Sequence, residues 1–264
     1  MTVDKKVSEY EEVNWGPSMA STFEKRSYSA LGGMEISADE AKQKVAEFLK
    51  LPEGTQGLEV AENGAGTEFS SYSVRGKNPY SGQDMHVDVS KKGGHIIYYI
   101  SARDITERNV DLKGAQEAAS DFVASHGYDN MVPVSYDEYA NVASFTFAHR
   151  VGDVTIYPER VVVKVALDNA EITGLAATDY IYEHKPREIP APALTLEQAK
   201  KSVNPSFKTE SASLAWIKND LDQEVLCYEL IGRINGTGYR MYINADTGIE
   251  ERIEEFTDVK QATS

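Results

Sequence analysis

The chain has 264 residues, 41% of them hydrophobic, with 27 Lys and Arg against 42 Asp and Glu, giving a formal net charge of −15. This length and apolar content fit one to three folded domains and not a disordered polymer. The charge disfavours nucleic-acid binding, which needs clustered Lys and Arg; a lone cysteine rules out an intrachain disulfide; and no run approaches the roughly 18 apolar residues of a membrane-spanning helix.

Residues 1–35 form a lead with a charged start and the tetrapeptide Trp15-Gly16-Pro17-Ser18. No basic-then-apolar signal opens the chain, so the lead reads as the middle of a longer polypeptide whose signal or anchor is removed. The first helix opens at Ile36-Ser37-Ala38-Asp39-Glu40-Ala41. Ser37 and Glu40 have the spacing of a capping box. Ala41, Val45, Phe48 and Leu49 recur at helical spacing, and Pro52 and Gly54 end the run. Strand-like segments follow at 58–60, 69–74, 85–89 and 95–100, with a turn at Asn63-Gly64-Ala65-Gly66.

Asp111 caps a second helix with a stripe of Ala115, Ala118, Ala119, Phe122 and Val123, stopped by Gly127. Strands are predicted at 143–149, 154–157 and 160–167 and from Ile172 onward, with a turn at Gly152-Asp153. Residues 183–192 carry three prolines and read as a stiff extended linker. A rotating third unit and early proteolysis near Lys185 or Arg187 are expected from it. The join at 104–108 lacks Gly and Pro, so the first two units should pack together. Thr195 and Gln198 form a second capping box, with Ala199 and Val203 facing inward before Pro205. Strands at 225–231 and 238–243 flank Asn235-Gly236, a strong hairpin signal.

Helix alanines Ala41, Ala115 and Ala199 are 74 and 84 residues apart, and the closing turns after Val89, Val165 and Ile243 are 76 and 78 apart. The near-constant spacing predicts an α+β chain of three tandem units at 36–104, 105–182 and 193–264. Each unit is expected to pack one helix on a roughly four-stranded antiparallel sheet, because a sheet with one apolar face needs a cover.

No catalytic residues are assigned. The chain lacks a Gly-x-Ser-x-Gly elbow, a phosphate-binding glycine loop and a local zinc pattern among its five histidines. No metal or cofactor is expected. His86 and His95 lie on two arms of one predicted hairpin, but solvent-exposed strand histidines are the favoured reading. Cys227, within Val225-Leu226-Cys227-Tyr228, reads as a buried apolar residue and not a nucleophile. Asn244-Ala245-Asp246-Thr247-Gly248 resembles the start of a calcium loop but lacks its bidentate Glu, and turn geometry accounts for it.

Tyrosines remain. Tyr98 and Tyr99, Tyr136 and Tyr139, and Tyr180 and Tyr182 flank unit ends, where they either contact a partner or fill seams between units. Tyr98, Tyr99, Tyr180 and Tyr182 are the candidate partner contacts, with alternation placing one of Tyr98 and Tyr99 outward. Glu250, Glu251, Glu254 and Glu255 form two acidic pairs after the last hairpin and are candidates for steering a basic partner; plain solvation of a terminal strand is the competing reading.

The repeated unit resembles the PepSY domain. The likeness rests on Ile36-Ser37-x-x-Glu40-Ala41, on Leu194-Thr195-x-x-Gln198-Ala199 and on the closing Tyr242-Ile243-Asn244-Ala245-Asp246-Thr247-Gly248. The middle unit matches least, with Gly114 at the acidic helix position and Ala170 at the turn glycine. Three such units after the acidic lead resemble the C-terminal region of a spore germination family of Bacillus-type bacteria. That resemblance implies a non-enzymatic accessory protein, outside the cytoplasm at the spore inner membrane and cortex, whose partner is a SleB-like cortex-lytic hydrolase. Peptidase inhibition of the PepSY type, or peptidoglycan binding, are the alternatives it leaves open.

Overall fold

The computed structural model describes residues 32–66, 70–101 and 103–255; the lead with Trp15 and the start of the strand expected at Phe69 lie outside them. Helix α1, Ala38–Leu49, begins where the capping box predicts, with the Ser37 backbone N–H donating to the Glu40 carboxylate at 2.7 Å. Such a cap contributes about 1 kcal/mol. Ala41 and Val45 are fully buried, with Phe48 and Leu49 packed beside them. The helix lies on an antiparallel sheet of β1 (Glu59–Asn63), β2 (Ser71–Lys77), β3 (Asp84–Ser90) and β4 (Ile96–Ser101).

Helix α2, Leu112–Ser125, is capped by Asp111, whose carboxylate accepts the Gly114 N–H at 2.7 Å. Its strands are β5 (Met131–Tyr139), β6 (Val142–Val151), β7 (Val154–Ala166) and β8 (Ile172–Ala176). A short helix, α3, spans Thr178–Glu183. The Thr195 capping box starts α4, Leu196–Ala199, but the helix is one turn and passes into a 3₁₀ turn at Lys200–Ser202. The last strands are β9 (Lys208–Lys218), β10 (Glu224–Ile234), β11 (Thr237–Asn244) and β12 (Glu250–Glu255).

The fold is α+β, but its strands form one continuous sheet and not three. The order runs β1-β2-β3-β4-β8-β7-β9-β10-β11-β12, with β5 and β6 branching from β7. β7 is the hub. Its second half pairs β8 antiparallel, while Val154 to Ile156 pair β9 in parallel. β4 pairs β8, so the first two helices cover one shared core that includes Val87, Tyr99, Phe145, Phe147 and Leu175. A second core gathers Val154 and Ile156 of β7 with Ala199, Leu230, Met241 and Ile243.

Residues 184–192 carry no helix or strand, but they do not swing free. The Arg187 side chain is 4% exposed and held by ion pairs to Glu159 of β7 and Glu224 of β10. The freely rotating third unit inferred from the prolines therefore does not fit the structure, because the same segment carries the charges that dock it.

Candidate functional site

The densest polar group lies where β6, β7 and the 184–192 segment meet β9 and β10. The β6–β7 register shifts between Ala148 and His149. Glu159 of β7 has no exposed side-chain surface. His149 and His184 each place Nδ1 on Glu159 Oε2, at 2.8 and 2.7 Å. Arg187 Nη1 pairs with Glu159 Oε1, and its Nη2 lies 3.0 Å from Glu224 Oε1. Lys185 Nζ reaches Glu224 at 3.1 Å, and Trp216 donates its indole N–H to the same carboxylate at 3.0 Å. Lys218 and Glu183 add a pair at 2.8 Å. Buried ions cost several kcal/mol each unless partnered, and Glu159 and Glu224 each have more than one partner.

Burial pushes the Glu224 carboxyl up, but hydrogen bonds from Arg187, Trp216 and Lys185 outweigh it and hold the group at about 2. Burial lowers the His149 pKa, aided by the Arg187 charge and opposed by Asp129. Burial, then His149, lowers that of His184. Both rings are therefore neutral at pH 7. A carboxylate only accepts, so the His184 Nδ1 carries the proton it shares with Glu159, whereas the buried His149 Nδ1 lies near the same oxygen without hydrogen-bond geometry. The Tyr180 ring stacks on His184 with centroids 4.6 Å apart, and Tyr128 meets Tyr180 edge-on.

Ligand atoms of His149, Glu159 and His184 lie within 4.8 Å of one another, a donor set zinc accepts. Both Glu159 oxygens are already engaged, and Arg187 places a positive charge against them. The group is a clasp on Glu159, closed by the His184 hydrogen bond and the Arg187 ion pair with His149 beside them. It escaped the sequence because its members are separated by 10 and 25 residues and belong to no short motif.

The structure divides the candidate contact residues. Tyr99 is 3% and Tyr182 8% exposed, so both are core residues and neither can offer a contact face. Tyr98 is half-buried, with its ring edge-on to His86, and Tyr180 is half-buried over His184. Tyr136 packs near Phe145, while Tyr139 is 83% exposed. Glu250 and Glu255 are exposed; Glu251 accepts from Asn244 at 2.7 Å, and Glu254 lies 3.5 Å from Arg252. His86 binds Asp88 at 2.7 Å and His95 points to Gly32, so the two do not meet. Cys227 is buried, and burial pushes its thiol up to about 12. The 244–248 turn is built by Asn244, which accepts the backbone N–H groups of Asp246 and Thr247 at 2.9 and 3.0 Å.

Residues 1–190 match the family described as YpeB sporulation, PepSY1 and PepSY2 domains. The chain belongs to the YpeB family. Sporulation protein YpeB of Halalkalibacterium halodurans is 34% identical over 261 residues, 98% of this chain and 58% of that protein. Its namesake in Bacillus subtilis is 35% identical over 263 residues, again 58% of the protein, so the chain spans well under two thirds of these relatives. The solved Bacillus megaterium YpeB C-terminal domain is 36% identical, with a TM-score of 0.78, covering 86% of this chain and all of that one. The match to the PepSY1 and PepSY2 family description ends at 190, inside the 184–192 segment that carries the buried charges, while the YpeB relatives match on through the last strands.

Proposed function

We propose that this chain is a non-enzymatic accessory protein of spore germination that binds and holds or restrains a SleB-like cortex-lytic hydrolase. The observation that carries the reading is membership of the YpeB sporulation family across nearly the whole chain. PepSY-like units at 36–104, 105–182 and 193–264, joined through 183–192, would supply the binding surfaces. The protein would work outside the cytoplasm, near the spore inner membrane and cortex. Among the described residues no helix is long and apolar enough to cross a membrane, so attachment there would come from outside them.

The contact surface assigned here comprises Tyr98, Tyr180 and the acidic strand β12. A net charge of −15 favours a basic partner face. Rim carboxylates act on encounter more than on final affinity. Replacing Glu250, Glu251, Glu254 and Glu255 with Gln is expected to lower the association rate with the hydrolase and to flatten its salt dependence, while circular dichroism stays unchanged. An unchanged rate at low salt would remove β12 from the surface. The wider reading is tested in spores lacking the protein. Loss or mislocation of the hydrolase is expected, and an intact, correctly placed enzyme would overturn it.

A further inference from the structure

A second polar feature adjoins the clasp and shares Lys218 with its polar group. A cleft of about 260 Å³ opens on the sheet face where the β5–β6 hairpin meets the last strands. Arg160 of β7, Lys218 of β9, Arg240 of β11 and Arg252 of β12 line it, with Tyr157, Tyr242, Ser135 and Thr146. Glu254 is the lone carboxylate among those lining residues. Four strands thus deliver four cations to one concavity in a chain of net charge −15. We propose that this cleft binds a small oxyanion, a carboxylate or phosphate group, at a site bordered on β12 by Arg252 and Glu254.

The frame of the cleft is fixed. Arg240 is 9% exposed at its side chain; its Nη2 donates to the Val134 carbonyl at 2.8 Å and its Nε lies 3.0 Å from Glu229. Tyr157 donates its hydroxyl to Glu229. Burial raises the pKa of both Tyr157 and Tyr242, so the phenols stay neutral and add no negative charge. The mouth is looser. Arg160 meets Asp179 at 2.8 Å with both side chains about half exposed, and Arg252 reaches Glu254 only at 3.5 Å. Exposed pairs of this kind hold by about 1 kcal/mol or less, so they yield readily to an incoming anion. Asp179, Glu183 and Glu229 partner the cations without lining the cleft. A cation-lined concavity focuses the field that such an anion feels. The volume falls below the roughly 300 Å³ at which pockets for drug-sized ligands begin, which selects a small group.

Isothermal titration of the intact protein with pyrophosphate and with citrate, at ionic strength fixed by sodium chloride, tests the assignment. Saturable one-site binding of either anion is expected, and which of them binds tighter tells phosphate from carboxylate. Affinity should fall about tenfold or more in Arg160→Gln and in Arg252→Gln, each losing one charge-assisted contact. It should hold in Lys92→Gln, which removes an exposed cation elsewhere. Arg160→Gln guards against a folding artefact in Arg252→Gln, because Arg252 also donates to the Lys218 carbonyl. Absence of saturable binding, or equal affinity in all three variants, would overturn the proposal.

Discussion

Glu159 shows why a single residue can decide how two parts of a chain sit together. Its carboxylate has no exposed surface, and it gathers His149 from β6 with His184 and Arg187 from the connecting segment. Removing Arg187 would leave that charge buried, a change that typically costs 3–5 kcal/mol. The two imidazoles add a pH dependence whose sign follows from their lowered pKa values. The unfolded rings take up protons near pH 6.5, before the folded ones do, so the unfolded state binds more protons over that interval. Stability is therefore level above the ordinary imidazole range and falls as pH drops through about 6.5. Glu224 acts in the same direction at lower pH. Held at about 2 against an ordinary 4.5, it contributes about 3 kcal/mol that is lost between those values. Urea melts from pH 8 to pH 3 should show two successive losses of stability. Replacing His149 and His184 with Gln should flatten the first and leave the second; a first step unchanged in that variant would remove the histidines as its source.

At the scale of elements, the sequence revealed starts better than extents. Ser37, Asp111 and Thr195 cap the helices they were expected to cap, because a cap is a local bond between residues three apart. α4 nevertheless stops after four residues: only Ala199 is buried within it, so packing rewards little more. β5 was not anticipated because Pro133 interrupts its pattern; in the structure Pro133 sits at a register shift on a strand that pairs β6 alone among the described strands. β9 was missed for a different reason, since the first half of Lys208–Lys218 is polar and largely exposed. β7 was read as two pieces broken at Pro158, although it runs unbroken over 13 residues. The bulge at Glu210 of β9, opposite Ile231 and Gly232 of β10, left no sequence signal beyond that glycine. A β-carbon at Gly232 would lie 2.2 Å from the Lys208 carbonyl oxygen and 2.8 Å from the Phe207 ring. Gly232→Ala is therefore expected to destabilise by about 1–3 kcal/mol, the usual cost of forced overpacking. Chemical denaturation reads this directly, and a change under 0.5 kcal/mol, the size of an ordinary surface substitution, would show that the bulge relaxes freely.

At the scale of the whole molecule, the repeat was legible but the way its copies join was not. Spacing alone reports that similar units recur; it carries no information on whether their sheets merge. Here they merge through β4–β8 and through the parallel β7–β9 pairing, and the clasp locks the connecting segment across that second seam. Proline content argued for an exposed, cleavable 183–192, yet proline constrains only the backbone, and the charged side chains between the prolines decide where the segment lies. Cleavage requires a stretch of chain to leave its contacts and enter the protease. At Arg187 that means withdrawing a guanidinium from Glu159 and Glu224, whereas Lys50, at the exposed end of α1, has a helix terminus to fray and a single hydroxyl bond from Tyr80 to its carbonyl to release. Among the described residues, trypsin is therefore expected to cut after Lys50 well before Arg187; the Lys185–Pro186 bond is not a tryptic site. Glu159→Ala, which keeps Arg187 as a tryptic site, should reverse that order by releasing the segment, as mass spectrometry of timed digests would report. Early cleavage after Arg187 in the unmodified chain would mean that the clasp opens in solution and that the third group of strands moves independently after all.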